Sequence, residues 1–129
     1  KYGKKYCKCY TMTELIAFLT TGKGTWGHVA RLLNEPWDSI VLLTNDYGKD
    51  NFKFEQKKID LVVVNENVGI KDLRDDIKQK LQQRIKGSEV AVNFVSGSGK
   101  EHMALVSALL QLGVGIRFVA LTKDGMEEI

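Results

Sequence analysis

Two short segments combine small, hydroxyl and lysine residues in a pattern that could bind an anion. The segments "TTGKGT" (20–25) and "SGSGKE" (96–101) each follow an apolar run and precede a run with helical spacing. Glycine costs backbone entropy wherever it is not needed, so such segments indicate tight turns or a close approach of the backbone to a ligand. Backbone amides at the start of a helix favour negative charge. The two segments therefore predict a phosphate-bearing ligand.

Neither segment matches the Walker nucleotide-binding loop. That loop has a glycine five positions before its Gly-Lys pair and a Ser or Thr after the lysine. Here Phe94 stands five positions before Gly99, and Glu101 follows Lys100. The bare dinucleotide pattern G-x-G-x-x-G does occur, as "GKGTWG" (22–27), and Asp46 lies about 20 residues further on. A dinucleotide site therefore stays open as an alternative.

The charge of the chain is concentrated at its beginning. The 129 residues carry a formal net charge of +3, but residues 1–11, "KYGKKYCKCYT", hold four lysines and no acidic residue. The rest of the chain is close to neutral, which argues against a domain-wide surface for nucleic acid. Residues 1–11 either contact a phosphate or a base, or form an appended leader. We predict a single ligand-binding domain over residues 12–129.

The cysteine and histidine content argues against a disulfide framework and against a zinc site. The two cysteines, Cys7 and Cys9, are separated by one residue, and the chain has two histidines. Such close cysteines rarely pair, and structural zinc needs four ligands. The apolar runs are too short to span a bilayer, and no apolar secretory signal is visible. We expect a cytoplasmic protein with no metal and no cofactor.

Apolar runs of strand length alternate with longer segments of helical spacing. The pattern predicts strands at 15–21, 39–45, 60–65, 89–95 and 115–121, helices at 22–34, 69–87 and 100–113, and a loop or short helix at 47–58. The segment "KDGMEEI" (123–129) is compatible with a turn and a short edge strand. Strands that are apolar on both faces, separated by helices, predict an α/β fold with a doubly wound, mainly parallel, Rossmann-like sheet. We expect five strands in the order 3-2-1-4-5.

In that order the first and fourth strands are neighbours, so the two segments meet at the switch point where such sheets bind ligands. Their Thr and Ser hydroxyls can contact phosphate or ribose, and Lys23 and Lys100 supply positive charge. Trp26 either stacks on a base or packs in the core. His28 and His102 lie one turn into their helices, where each either faces the ligand or packs at the surface.

Two stretches resemble the CRISPR-associated Rossmann-fold (CARF) domain, a sensor of cyclic oligoadenylate second messengers. The stretch "LIAFLTTGKGTWGHVARLLNEPWDSIVLLTND" (15–46) resembles the family's first strand, loop, helix and second strand. The stretch "VNFVSGSGKEHMALVSALLQLGVGIRFVAL" (92–121) resembles its fourth strand, glycine turn, helix and last strand. The turn "SGSGKE" departs from the commonest Thr-Gly-Gly-Thr-Lys form and is closer to that of the archaeal transcription-regulator branch. The similarity spans about residues 12–126.

The resemblance implies a homodimer in which both copies of the two segments form one pocket for a cyclic oligoadenylate. By position, the implied ligand-binding residues are Thr20, Thr21, Gly22, Lys23, Gly24, Thr25, Ser96, Gly97, Ser98, Gly99, Lys100 and Glu101. Some family members also cleave the ring without metal, through attack of a ribose 2′-hydroxyl on the adjacent phosphate. For that reaction the candidate catalytic residues are Lys100, as stabiliser of the developing charge, and Thr21 or Ser96, as positioning hydroxyls.

A second class of function stays open beside the first. The chain would then be a non-enzymatic regulatory or interaction domain that binds a different nucleotide or a partner protein. Nothing after Asp124 suggests a DNA-binding or nuclease motif. An effector or DNA-binding partner would therefore lie on a separate or removed chain.

Overall fold

The computed structural model describes residues 13–20, 23–54 and 59–129, with no side-chain description for Lys23. The predicted leader at 1–11 and the predicted site residues Thr21 and Gly22 lie outside these ranges. Strands and helices alternate along the described chain. They are β1 (Glu14–Leu19), a 3-10 turn (Lys23–Thr25), α1 (Trp26–Leu32), β2 (Ser39–Thr44), α2 (Asp46–Asn51), β3 (Ile59–Val63), α3 (Ile70–Gln82), β4 (Glu89–Asn93), α4 (Gly99–Leu112), β5 (Gly115–Thr122) and β6 (Gly125–Glu128).

The described strands form one sheet in the order β3-β2-β1-β4-β5-β6. Every neighbouring pair from β3 to β5 is parallel, and β6 pairs with β5 in the antiparallel direction. The predicted α/β fold with strand order 3-2-1-4-5 and a short edge strand is confirmed. The sheet is consistent with a Rossmann-like fold.

The central strand β1 is buried on both faces, which explains its uninterrupted apolar sequence. Ile16 and Phe18 contribute to a core that includes buried residues of α3 and α4. Leu15, Ala17 and Leu19 contribute to a second core that includes buried residues of α1. Since successive side chains of a strand point to opposite faces, one short segment supports both layers. Its carboxyl end is thereby fixed firmly at the middle of the sheet.

The predicted helix at 69–87 is shorter than its sequence pattern indicated. The α-helix α3 ends at Gln82, because the amides of both Arg84 and Ile85 fold back onto the Leu81 carbonyl. Beyond this turn the Glu14 carboxylate accepts the amides of Lys86 and Gly87, at 3.1 and 3.5 Å. Ile85 still packs against the core, but from a loop. The prediction of one helix as far as Gly87 was therefore wrong.

Other segments also differ from the predicted boundaries. The predicted helix at 22–34 consists of the 3-10 turn followed by α1, which ends at Leu32. Of the two alternatives for 47–58, the short helix occurs as α2, and it begins at Asp46 because the Asn45 side chain accepts the Gly48 amide at 2.8 Å. Strand β1 ends at Leu19, so that Thr20 begins the loop rather than closing the strand.

Candidate functional site

The loops after β1 and β4 touch at the carboxyl edge of the sheet. The Thr20 amide donates to Ser96 Oγ at 3.4 Å, a contact between residues 76 positions apart in sequence. Beside this contact lies a small cavity of about 280 Å³, which we call the switch-point pocket. It is lined by Thr20, Glu66, Gly97, Ser98 and Glu101. The sequence prediction that the two segments meet is therefore confirmed for their described residues.

Gly97 shapes the turn that leads from β4 into α4. Its φ of +107° is a conformation that other L-residues rarely adopt. A Cβ added there would lie 2.9 Å from His102 Nε2 and 3.1 Å from Phe18 Cβ. The turn thus depends on glycine both for its backbone angle and for the space around it.

His102 contacts the backbone of the turn and stabilises it. Its Nε2 donates to the Ser96 carbonyl at 2.8 Å, and its ring stacks on Phe94 with centroids 4.3 Å apart and an interplanar angle of 5°. The ring also lies 5.7 Å from that of Phe18. Of the two interpretations for this histidine, packing is the one that the contacts favour.

Ser98 and Glu101 form a capping box at the start of α4. The Ser98 hydroxyl accepts the Glu101 amide at 3.2 Å, and Glu101 Oε1 accepts the Ser98 amide at 2.7 Å. The spacing Ser-x-x-Glu before an apolar run is a known signature of this arrangement, which the sequence interpretation did not use. Because the chain's own carboxylate already lies at the helix start, this end attracts an anion less than its glycine content suggested.

The remaining oxygen of Glu101, Oε2, is buried. The residue is 3% exposed, and its Oε2 is enclosed without a hydrogen bond from any residue that the structure describes. Leaving a buried polar group unpaired costs about 1–3 kcal/mol. The capping box thus holds the carboxylate in place while Oε2 stays unpaired among the described residues. A hydrogen-bond donor placed at Oε2 would remove this cost in free energy.

A second acidic residue, Glu66, also lines the switch-point pocket. Its Oε2 accepts from Asn45 Nδ2 at 3.1 Å. Sequence reasoning did not include Glu66 among the candidates, because it belongs to the loop after β3, which has no glycine-rich signal. Its position just past the end of a parallel strand was the available hint. With two acidic residues in its lining, the pocket suits hydrogen-bond donors.

Lys100 is half-buried and does not line the switch-point pocket. Its Nζ donates to the Glu66 carbonyl at 3.0 Å and also to the Val68 carbonyl. Lys100 was predicted as a ligand-binding residue, but its ammonium lies against the loop between β3 and α3. Through this contact the first turn of α4 holds the backbone that carries Glu66.

The other predicted site residues differ in how accessible they are. Ser96 is only 2% exposed, and its hydroxyl accepts the Thr20 amide, so it joins the two loops rather than facing solvent. Gly24 and Gly99 have open surroundings, where an added Cβ would meet nothing within 4 Å. Lys23 and Thr25 belong to the 3-10 turn before α1.

Trp26 anchors the end of β1. Its indole Nε1 donates to the Thr20 carbonyl at 2.9 Å, and its ring meets Phe52 edge-on at a centroid distance of 5.7 Å. Of the two interpretations for Trp26, the packing role is the one these contacts support. The tryptophan fixes the backbone at which the first loop begins.

His28 lies two residues further along, in α1, and it does not line the switch-point pocket. Burial, followed by the nearby Arg31 charge, lowers the pKa of His28 below its ordinary value. The ring is therefore neutral at pH 7, and its enclosed Nε2 has no hydrogen-bond partner in the described part of the chain.

The described ranges contain neither a candidate metal site nor a helix that could span a membrane. Within 13–20, 23–54 and 59–129 there is no group of three or more His, Cys, Asp or Glu side chains that could hold a metal ion. None of the helices in these ranges is both long and apolar enough to cross a bilayer.

No family model matches the sequence, and no curated protein matches it. The function of the chain is therefore inferred from its fold and from the chemistry of the switch-point pocket.

Proposed function

We propose that this chain is a receptor of the CARF type that binds a cyclic oligoadenylate at the switch-point pocket. The observation that supports the proposal most is the direct contact between the loops after β1 and β4, from the Thr20 amide to Ser96 Oγ. The contact lies where strand order reverses in a doubly wound sheet, and ligands of such sheets bind in that crevice. The pocket beside it is polar, which fits a ligand made of phosphates and sugars.

The pocket offers different groups to different parts of a nucleotide. The threonine and serine hydroxyls can donate to phosphate oxygens. The carboxylates of Glu66 and Glu101 suit sugar hydroxyls. Lys100 contacts the pocket lining indirectly, because its Nζ donates to the carbonyl of Glu66. No metal is needed for binding of this kind.

Ring cleavage remains a prediction beside binding. Thr21 lies outside the described residues, and the Ser96 hydroxyl is occupied by the Thr20 amide. Lys100 could stabilise a developing phosphorane charge only after releasing the carbonyls that it now contacts. Chromatography of the ligand after incubation with the protein distinguishes cleavage from binding alone.

The proposal is tested by thermal denaturation in the presence of cyclic tri-, tetra- and hexa-adenylate, with a linear oligoadenylate as the control. A ligand present at 100 times its Kd stabilises the native state by about 2.7 kcal/mol. For a domain of this length that corresponds to a rise in Tm of roughly 10 °C. The ring that gives the largest rise identifies the preferred ligand. No rise with any ring at high micromolar concentration would overturn the proposal.

A second candidate, a regulatory domain that acts through association alone, is favoured by an apolar surface on α4. Met103 and Leu110 are 64% and 66% exposed. Together with Phe94 and Val106 they line an open groove of about 460 Å³.

We propose that a second copy of the chain covers this groove, since a ring of several nucleotides is too large for one 280 Å³ pocket. Two copies would then each supply half of the ligand site.

Leu110→Lys is expected to convert this dimer to a monomer, because it places a charge in an apolar contact. Light scattering at tens of micromolar protein measures the change, and Ile129→Lys is the matched control, since it adds the same charge at an exposed apolar residue outside α4. A wild-type chain that is monomeric at this concentration would contradict the proposed dimer. A dimer that responds to no cyclic ligand would favour the regulatory alternative.

A further inference from the structure

We infer that Glu101 recognises a hydroxyl of the ligand, the ribose 2′-hydroxyl of the nucleotide bound in the switch-point pocket. The inference rests on the proposed function and adds to it the group that distinguishes RNA-type from DNA-type ligands. The atom that carries the inference is Glu101 Oε2. That oxygen is buried and unpaired among the described residues, while its neighbour Oε1 is held at 2.7 Å by the Ser98 amide.

An ionised carboxylate only accepts hydrogen bonds, so the missing partner of Oε2 must be a donor. A phosphate provides none at neutral pH. A nucleotide has two kinds of donor, the hydroxyls of its ribose and the amine of its base. In a cyclic oligoadenylate with 3′–5′ linkages the 2′-hydroxyl is the sugar donor that remains free.

The lining of the pocket favours the hydroxyl over the base amine. A bound nucleobase gains most of its affinity from stacking on aromatic or apolar side chains. The switch-point pocket is lined by Thr20, Glu66, Gly97, Ser98 and Glu101, a set with no aromatic ring. A sugar needs only polar partners of this kind.

The carboxylate can present Oε2 to a ligand without backbone movement. The terminal torsion of glutamate is broad, so the plane of the carboxylate can tilt at little cost. A modest tilt turns Oε2 toward the pocket while Oε1 stays within reach of the Ser98 amide. The capping box holds the carboxylate at the wall of the pocket throughout this tilt.

Calorimetry of the wild-type protein with the preferred cyclic oligoadenylate and with its 2′-deoxy counterpart tests the inference. The wild type is expected to bind the ribose form at least about tenfold more tightly, which is the effect of one charge-assisted hydrogen bond. Glu101→Gln keeps the shape of the side chain but can turn an amide donor toward the hydroxyl, so this preference should disappear. Glu127→Gln is the matched control and should retain it, because Glu127 is an exposed glutamate of β6 that does not line the switch-point pocket.

Each result has a separate meaning. Equal affinity of the wild type for both ligands would overturn the role of Glu101 while leaving the proposed function supported. A preference that persists in Glu101→Gln would belong to sugar conformation and would also overturn that role. Failure of the wild type to bind either ligand would reject the proposed function itself. If Glu101→Gln does not fold, Glu101→Asp takes its place: this variant draws the carboxylate back by one methylene and should reduce the preference, and an unchanged preference would overturn the role.

Discussion

Gly97→Ala is expected to lower the free energy of unfolding by about 2–4 kcal/mol, from a left-handed backbone penalty and from crowding. The native φ of +107° would be strained in alanine. The new methyl group would press on His102 Nε2 at 2.9 Å and on Glu101 Oε1 at 3.2 Å. Both contacts belong to the support of the turn, so neither group can move away freely. Urea denaturation at pH 7 measures the change.

Gly99→Ala is the matched control for this substitution, two positions further along the same segment. An added Cβ meets nothing within 4 Å there, and the residue is the first of α4. Alanine is favoured over glycine in helices by up to about 1 kcal/mol, so the control should be neutral or slightly stabilising. Equal stability of the two variants would contradict the special role of the Gly97 turn. Ligand binding should be lost in Gly97→Ala and retained in Gly99→Ala.

Lys100→Ala is expected to weaken binding of the proposed cyclic oligoadenylate by roughly ten- to a hundredfold, the size expected from losing one charge-assisted hydrogen bond, here one that holds the loop carrying Glu66. The ammonium now holds the carbonyls of Glu66 and Val68, and its loss would free the loop that forms one wall of the pocket. A phosphate brought close to Lys100 would also compete for the same charge. The affinity is measured by calorimetry at low salt. If the ligand is cut, the rate should fall further than the affinity, because phosphorane charge exists only in the transition state.

Lys71→Ala is the matched control, since Lys71 is an exposed lysine on the neighbouring helix α3. Hydrogen exchange over 66–69 separates the two parts of the Lys100 effect. Faster exchange there in Lys100→Ala, with Lys71→Ala unchanged, would show that the ammonium holds the loop. Unaltered affinity in Lys100→Ala would refute its assignment to the ligand site.

The strand order could be predicted from the sequence because burial leaves a clear pattern. A segment such as β1, apolar at every position, fits only a strand covered on both faces, and alternation with helices makes its neighbours parallel. The glycine turn was equally visible, since Gly97 stands between a strand and a helix. Even the capping box of Ser98 and Glu101 had a sequence signature, although it was not used.

Contacts between distant segments were the part that local patterns could not provide. The end of α3 is fixed by the Glu14 carboxylate, which is more than 70 positions away from the amides that it accepts. The direction of Lys100 depends on carbonyls of the loop after β3. Glu66 enters the pocket from that same loop. In each case the deciding partner becomes a neighbour only once the sheet has formed.

The pairing of β1 with β4 has a consequence for the order of folding. It joins residues 76 positions apart, whereas the other parallel pairs join segments much closer in sequence. The entropic cost of closing a loop rises by about 0.6 kcal/mol with each doubling of its length, so this seam is expected to close late. The switch-point pocket lies at the end of that seam. A growing chain therefore cannot form the site until α4 has been synthesised and has packed on the sheet. Ligand binding would then indicate that β1 and β4 have paired.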